Sequence, residues 1–140
     1  MKRFEPLIRL HRWQLNERRR QLAELETAAE ATRDRISSLD AMLAAEAREA
    51  DRDPLQRAAF PTYAEAMRKR RAKLVETLDM LTASIAEARE GVTDAFQELK
   101  KYELAQEARR RRDDEASARR ERILLDEMAI EGYRRNRAAE

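Results

Sequence analysis

The stretch "READRDPLQRAAFPTY", residues 48–63, decides the fold. Pro54 and Pro61 each disfavour helix in the residue before them. Elsewhere the chain has only one proline, Pro6. Asp53 followed by Pro54 has the form of a helix cap with proline at the first helical position. The spacing predicts a bend over 51–62, with room for a short helical turn from Pro54 to Ala59. Thr62, with Glu65 three residues on, has the form of a capping box that would open a second helix at 63.

Working outward, both flanks read as long helices. Before the bend, Ile8, Leu15, Leu22, Ala29, Ile36, Leu43 and Ala50 recur every seven residues. The companion positions His11, Arg18, Leu25, Thr32, Leu39 and Glu46 are apolar only at Leu25 and Leu39, so the seam is narrow. A first helix over 5–50 follows, with Pro6 in its first turn, where a missing N–H costs nothing. After the bend, Met67, Arg71, Leu74, Leu78, Leu81, Ile85, Ala88, Val92, Ala95, Leu99 and Tyr102 alternate spacings of four and three, and only Arg71 interrupts them. Gly91 lies beside this seam and lowers helix propensity by about 1 kcal/mol without ending the helix. The second helix is expected over 63–132. Two arms of similar length around a short bend predict an all-α fold: a long antiparallel two-helix coiled-coil hairpin, forming one domain over 1–140. The paired region spans about 8–106, with residues near 8 against residues near 106.

That arithmetic leaves 107–140 without an intramolecular partner. The heptad continues through Arg109, Asp113, Ala116 and Arg120, which form no seam, yet helix propensity stays high. The C-terminal helix is therefore expected to extend beyond the hairpin as a projecting tail. Within it "ERILLDEMAIEGYRRN", residues 121–136, carries Ile123, Leu124, Leu125, Met128 and Ile130 around Asp126 and Glu127. These spread over a broad face, which suits a segment recognised by a partner as a helix in a groove.

Composition sets the class. Charged residues are 41 % of the 140, aromatics 5 %, and there are two glycines and no cysteine, the pattern of long helices without a disulfide scaffold or cysteine-based zinc site. Lys and Arg (30) nearly balance Asp and Glu (28), so the chain is charge-dense rather than basic, and no specific nucleic-acid binding is expected. Arginine clusters at 16–21, 68–73 and 109–112 read as helix exterior. No apolar run approaches a membrane span, so direct insertion into a membrane is not expected. A two-helix seam has no interior for a catalytic site. His11, the lone histidine, reads as a half-buried interface residue rather than a metal ligand. No enzyme activity, cofactor or metal is expected. Residues 2–20 hold seven Lys/Arg against two Glu, and in the antiparallel arrangement they lie near 100–112. Trp13, Arg18, Arg109 and Arg110 are the interface candidates of this basic open end, Trp13 being open to a packing or an anchoring reading. Phe60 and Tyr63 flank Pro61 as a local staple or a docking knob.

In three stretches the chain resembles the bacterial flagellar export protein family FliJ, related to the stalk proteins of injectisome secretion systems. These are "FEPLIRLHRWQLNERRRQLAEL" at 4–25, "FPTYAEAMRKRRAKL" at 60–74 and, most specifically, "FQELKKYELAQEARRRRDDEASARRERILLDEMA" at 96–129. The resemblance implies a non-catalytic cytosolic stalk of type III protein export, serving flagellum biogenesis and motility. It would bind and regulate the hexameric export ATPase, contact the membrane-embedded export gate and meet export chaperones. It would sit in the cytoplasm, peripherally at the inner membrane. The family's terminal element matches Leu125, Asp126 and Glu127, with Met128 following. A partner-facing patch at the start of the second helix matches Tyr63, Met67, Arg70 and Leu74, made more basic than usual by Arg70 and Arg71. The alternatives are a generic coiled-coil scaffold or chaperone-like protein, and an injectisome stalk.

Overall fold

The computed structural model describes residues 3–139. Within them the chain is all helix, α1 over Glu5–Arg52 and α2 over Pro54–Ala139, packed together as a helical hairpin. The turn between them is a single residue, Asp53. Its N–H still donates to the Glu49 carbonyl at 3.2 Å, while its own carbonyl accepts from Arg57 N–H at 2.9 Å. Its carboxylate accepts from Leu55 N–H at 2.9 Å, satisfying one orphan donor of the α2 start. The exposed carbonyls ending α1 are met from the other side: the Arg57 guanidinium donates to Ala50 O at 3.3 Å and Asp51 O at 2.9 Å.

The expected bend over 51–62 therefore shrinks to Asp53, and the second helix begins at Pro54 rather than 63. Pro61 lies inside α2. Its missing N–H deprives the Arg57 carbonyl of a partner, but residues 57–59 are exposed, so water can supply one. With helix on both sides of it, the local cost of proline, about 3 kcal/mol, does not break the run. Thr62 consequently lies within a helix and caps nothing. Gly132 likewise fails to end α2, which runs on to Ala139. Phe60 and Tyr63 sit across Pro61 with ring centroids 6.5 Å apart, the local staple.

Contacts divide the chain into two units, Gln14–Phe96 and Met1–Trp13 with Gln97–Glu140. In the first, Arg71 reaches Asp40 at 2.9 Å and Arg89 reaches Glu26 at 4.0 Å. Numbers fall along one helix as they rise along the other, so the pair is antiparallel. Its seam buries Leu15, Ala29, Leu39, Ala50, Ala64, Met67 and Ile85. The remaining expected apolar positions, among them Leu22, Ile36, Leu43, Leu74, Leu78 and Leu81, are half-buried, whereas Arg18 and Glu46 are exposed. Small Ala29 and Ala64 let the backbones approach, and the Thr32 hydroxyl is buried by donating to Ala28 O at 2.8 Å. Arg71, the interruption in the repeat, leaves the seam and forms its two-pronged ion pair with Asp40 instead. Arg18 lies with its guanidinium 3.4 Å from where a side chain on Gly91 would begin.

In the second unit, His11 stacks on Tyr102 with centroids 4.6 Å apart and planes 17° from parallel, as a half-buried interface residue. Arg12 approaches Glu103 at 3.8 Å, and Ile8 and Leu99 are buried. Ile8 and Gln106 line one cleft. Beyond it only Arg109 and Ala116 are even half-buried, and every residue from 117 to 139 is exposed.

Candidate functional site

Long helices present side chains at 100° steps, so position along the chain dictates which side of the helix a residue occupies. In the last part of α2 this rule produces two apolar sides. Leu124, Leu125 and Met128, with Ala129 and Gly132, cover one broad side. Ile123, Ile130 and Tyr133 lie on the opposite one with Asp126 among them, and Glu127 and Glu131 occupy one sector between the two. The large apolar side chains are 54–66 % exposed. A single face would have suited one groove, whereas two opposed faces suit contact from both sides. Tyr133, absent from the sequence-derived set, belongs to this surface; its i, i+7, i+10 relation to Ile130 and Ile123 was the available signal.

The predicted patch at the start of the second helix is only partly assembled. Met67, Arg70 and Leu74 line one cleft of about 520 Å³, and α1 supplies the rest of its wall: Asp34, Leu39 and Met42. Met67 is buried and Leu74 half-buried, so both serve the seam as well as the cleft floor. Arg35, Arg70 and Lys73 make its rim basic. Tyr63 is not on this wall; it packs beside Phe60.

The four open-end candidates separate. Trp13 is 61 % exposed, which removes the packing reading. Leu7 and Leu10, three residues apart on the same helix, are also exposed, a stripe outside the heptad that sequence reading missed. Arg110 lines a polar cleft of about 710 Å³ with Glu5, Arg12, Glu103 and Asp114, and Arg109 is half-buried. Arg18 belongs to the other unit and lies over Gly91.

The electrostatics are those of a solvated helix surface. A hydrogen bond from Arg20 at 2.8 Å holds the Glu17 carboxyl below its ordinary range; slight desolvation opposes this and the arginine charge adds to it. Among the described residues no group of three or more His, Asp or Glu converges to hold a metal ion. No helix of these residues is long and apolar enough to cross a membrane.

Comparison with known proteins fits this geometry. A family model described as "Flagellar FliJ protein" matches residues 1–138. Two relatives bearing that same description, from two strains of Caulobacter vibrioides, are 33 % identical to the chain over 104 residues, covering 74 % of this chain and 75 % of each relative. No solved structure matches the chain.

Proposed function

The chain belongs to the flagellar FliJ family, a non-catalytic scaffold family of flagellar protein export, and from that premise we propose that it acts as a stalk for the export ATPase. The observation that carries this reading is the α2 stretch from Ile123 to Tyr133, helical and apolar on two sides yet without an intramolecular partner. A helix of that kind fits a central opening lined by several subunits. Unequal contacts around it would favour one subunit's conformation over its neighbours', so that the stalk changes the rate of hydrolysis without owning a catalytic residue. Ile123, Leu124, Leu125, Met128 and Ile130 supply apolar contact, and Asp126 and Glu127 set orientation.

The cleft of Met67, Arg70 and Leu74 is the proposed contact for the export gate, with export chaperones as further partners. The proposed location is the cytoplasmic face of the inner membrane, held there through these partners. The test is to add the purified chain to the export ATPase and follow hydrolysis and ring assembly. Stimulation of either supports the stalk. Absence of binding together with unchanged rate and assembly would remove it, leaving a scaffold role.

A further inference from the structure

We propose that the open end of the hairpin docks on an anionic lipid bilayer, through one flank that α1 and α2 build together. In the unit that holds the start of α1 and the end of α2, the two flanks differ in charge. On one of them Arg12 approaches Glu103 at 3.8 Å. The cleft on that side carries four acids, Glu5, Glu103, Glu107 and Asp114, against three arginines. Steps of 100° per residue place Leu7 and Leu10 across α1 from Glu5 and Arg12. The same steps place Lys101, Arg109 and Arg112 across α2 from Glu103 and Glu107. Since Arg12 and Glu103 share the first flank, these two rows share the second. The stack of His11 on Tyr102 sets their level, with Leu7 and Leu10 beside the stretch from Tyr102 to Gln106. The acid of this second flank is Glu98, which is half-buried.

The chemistry of this flank suits a charged bilayer. Its apolar part is open, with Leu7, Leu10 and Trp13 39–61 % exposed. These three span about 120° of α1, Trp13 forming the outer edge with Arg9 next to it on the helix surface. Its basic part is uncompensated: among the described residues Lys101, Arg109 and Arg112 make no ion pair. On the other side of α2, Lys100 approaches Glu103 and Arg111 approaches Glu107. Leucine and tryptophan beside a row of cations is the pattern of a helix lying in a bilayer interface. The apolar side chains enter shallowly there, and the cations reach the headgroup phosphates while their stems cover apolar surface. No helix of the described residues is long and apolar enough to cross a membrane, so the contact is a surface one. A ridge of separate side chains suits a fluid surface, whereas a folded acidic protein is gripped better by a groove. The flank shares no residue with the apolar stretch from Ile123 to Tyr133, so lipid binding and the stalk reading stand or fall separately.

Trp13 is the one tryptophan of the chain, so its fluorescence reports this flank alone. The full chain, with no other protein present, is mixed with vesicles of phosphatidylcholine or of phosphatidylcholine with phosphatidylglycerol. With the anionic vesicles, co-sedimentation is expected together with a blue shift of Trp13 and quenching by brominated acyl chains. With phosphatidylcholine alone, binding is expected to be at least tenfold weaker, and salt should weaken the anionic case. Absence of binding to anionic vesicles would overturn the proposal and leave the flank to an acidic protein. Binding with Trp13 unshifted and unquenched would overturn it too, by placing the contact elsewhere on the chain. Lys101→Gln with Arg112→Gln is expected to weaken binding about fivefold for each cation removed. Arg110→Gln with Arg111→Gln removes the same charge from the other flank and should change binding less than twofold. Equal losses from the two pairs would mean attraction by net charge only, which overturns the site. Leu10→Ser with Trp13→Ser, both well exposed, should cut co-sedimentation about tenfold or more at unchanged circular dichroism. Unchanged co-sedimentation of that variant would remove the apolar half of the face.

Discussion

At Asp53 one side chain does most of the work of reversing the chain. Its carboxylate receives Leu55 N–H while its backbone closes both helices. Asp53→Ala is expected to lower unfolding stability by about 1 kcal/mol, read as a shift in urea midpoint at unchanged slope. Asp53→Asn should recover most of the loss, since the amide oxygen caps equally well. A second residue-scale expectation concerns pH. The folded-state pKa of Glu17 is depressed, chiefly by the Arg20 hydrogen bond. Its stabilising contribution is therefore complete above the ordinary carboxylate value and is lost as pH falls through the depressed one. Glu17→Gln should accordingly be less stable than the parent at neutral pH and equal to it in acid, with denaturation measured across that range. At this scale the sequence was readable wherever chemistry is local. Asp followed by Pro announces a cap whatever surrounds it. Thr62 with Glu65 announces one too, and is overruled because α2 has already begun eight residues earlier.

For the elements, heptad spacing made both seams legible, since burial follows the 3.5-residue repeat at Ile8, Leu15, Ala29, Ile85 and Leu99. Pro61 was misread because the bias against helix before proline is a tendency, whereas the length and continuity of α2 are set by the whole run around it. The cleft walls were less legible still. Leu39 and Met42 meet Met67 and Leu74 only once the two helices are in register, about thirty residues apart in sequence, and no local pattern encodes that meeting. Gly91 offers an element-scale test. Its φ is not positive and a new Cβ would sit 3.4 Å from the mobile end of Arg18, which can move aside. Gly91→Ala is expected to stabilise the hairpin by about 0.5–1 kcal/mol through helix propensity, seen as a higher thermal midpoint. Leu125→Ser with Met128→Ser tests the opposite kind of site. Both side chains are exposed, so the circular dichroism of the isolated chain should change little while partner affinity falls about tenfold or more. A loss of helicity throughout the chain would instead assign these residues to the fold.

For the whole molecule, the decisive fact is that helix and burial do not end together. Burial fades beyond Gln106, with Ala116 the last half-buried residue, while helix continues to Ala139. A hydrophobic seam stabilises the residues it covers, at about 1.5–3 kcal/mol per well-buried Leu or Ile as an upper range. The exposed length has only propensity and pairs such as Glu131 with Arg135 to hold it, each worth a few tenths of a kcal/mol. Folding and recognition should therefore be separable by cutting the chain. A version ending at Ser117 is expected to keep the urea midpoint of the parent and to lose only the helical signal of residues 118–139. On the proposed stalk reading it should also fail to act on the export ATPase, while a version cut only after Tyr133 keeps both the midpoint and that action. If the shorter chain unfolded at a clearly lower midpoint, the tail would be part of the fold, and its apolar residues would need an intramolecular explanation. Hydrogen exchange on the parent gives the same separation without any cut: amides from 117 onward are expected to exchange by local fraying, and those around Leu15, Ala29 and Ile85 only through opening of the seam.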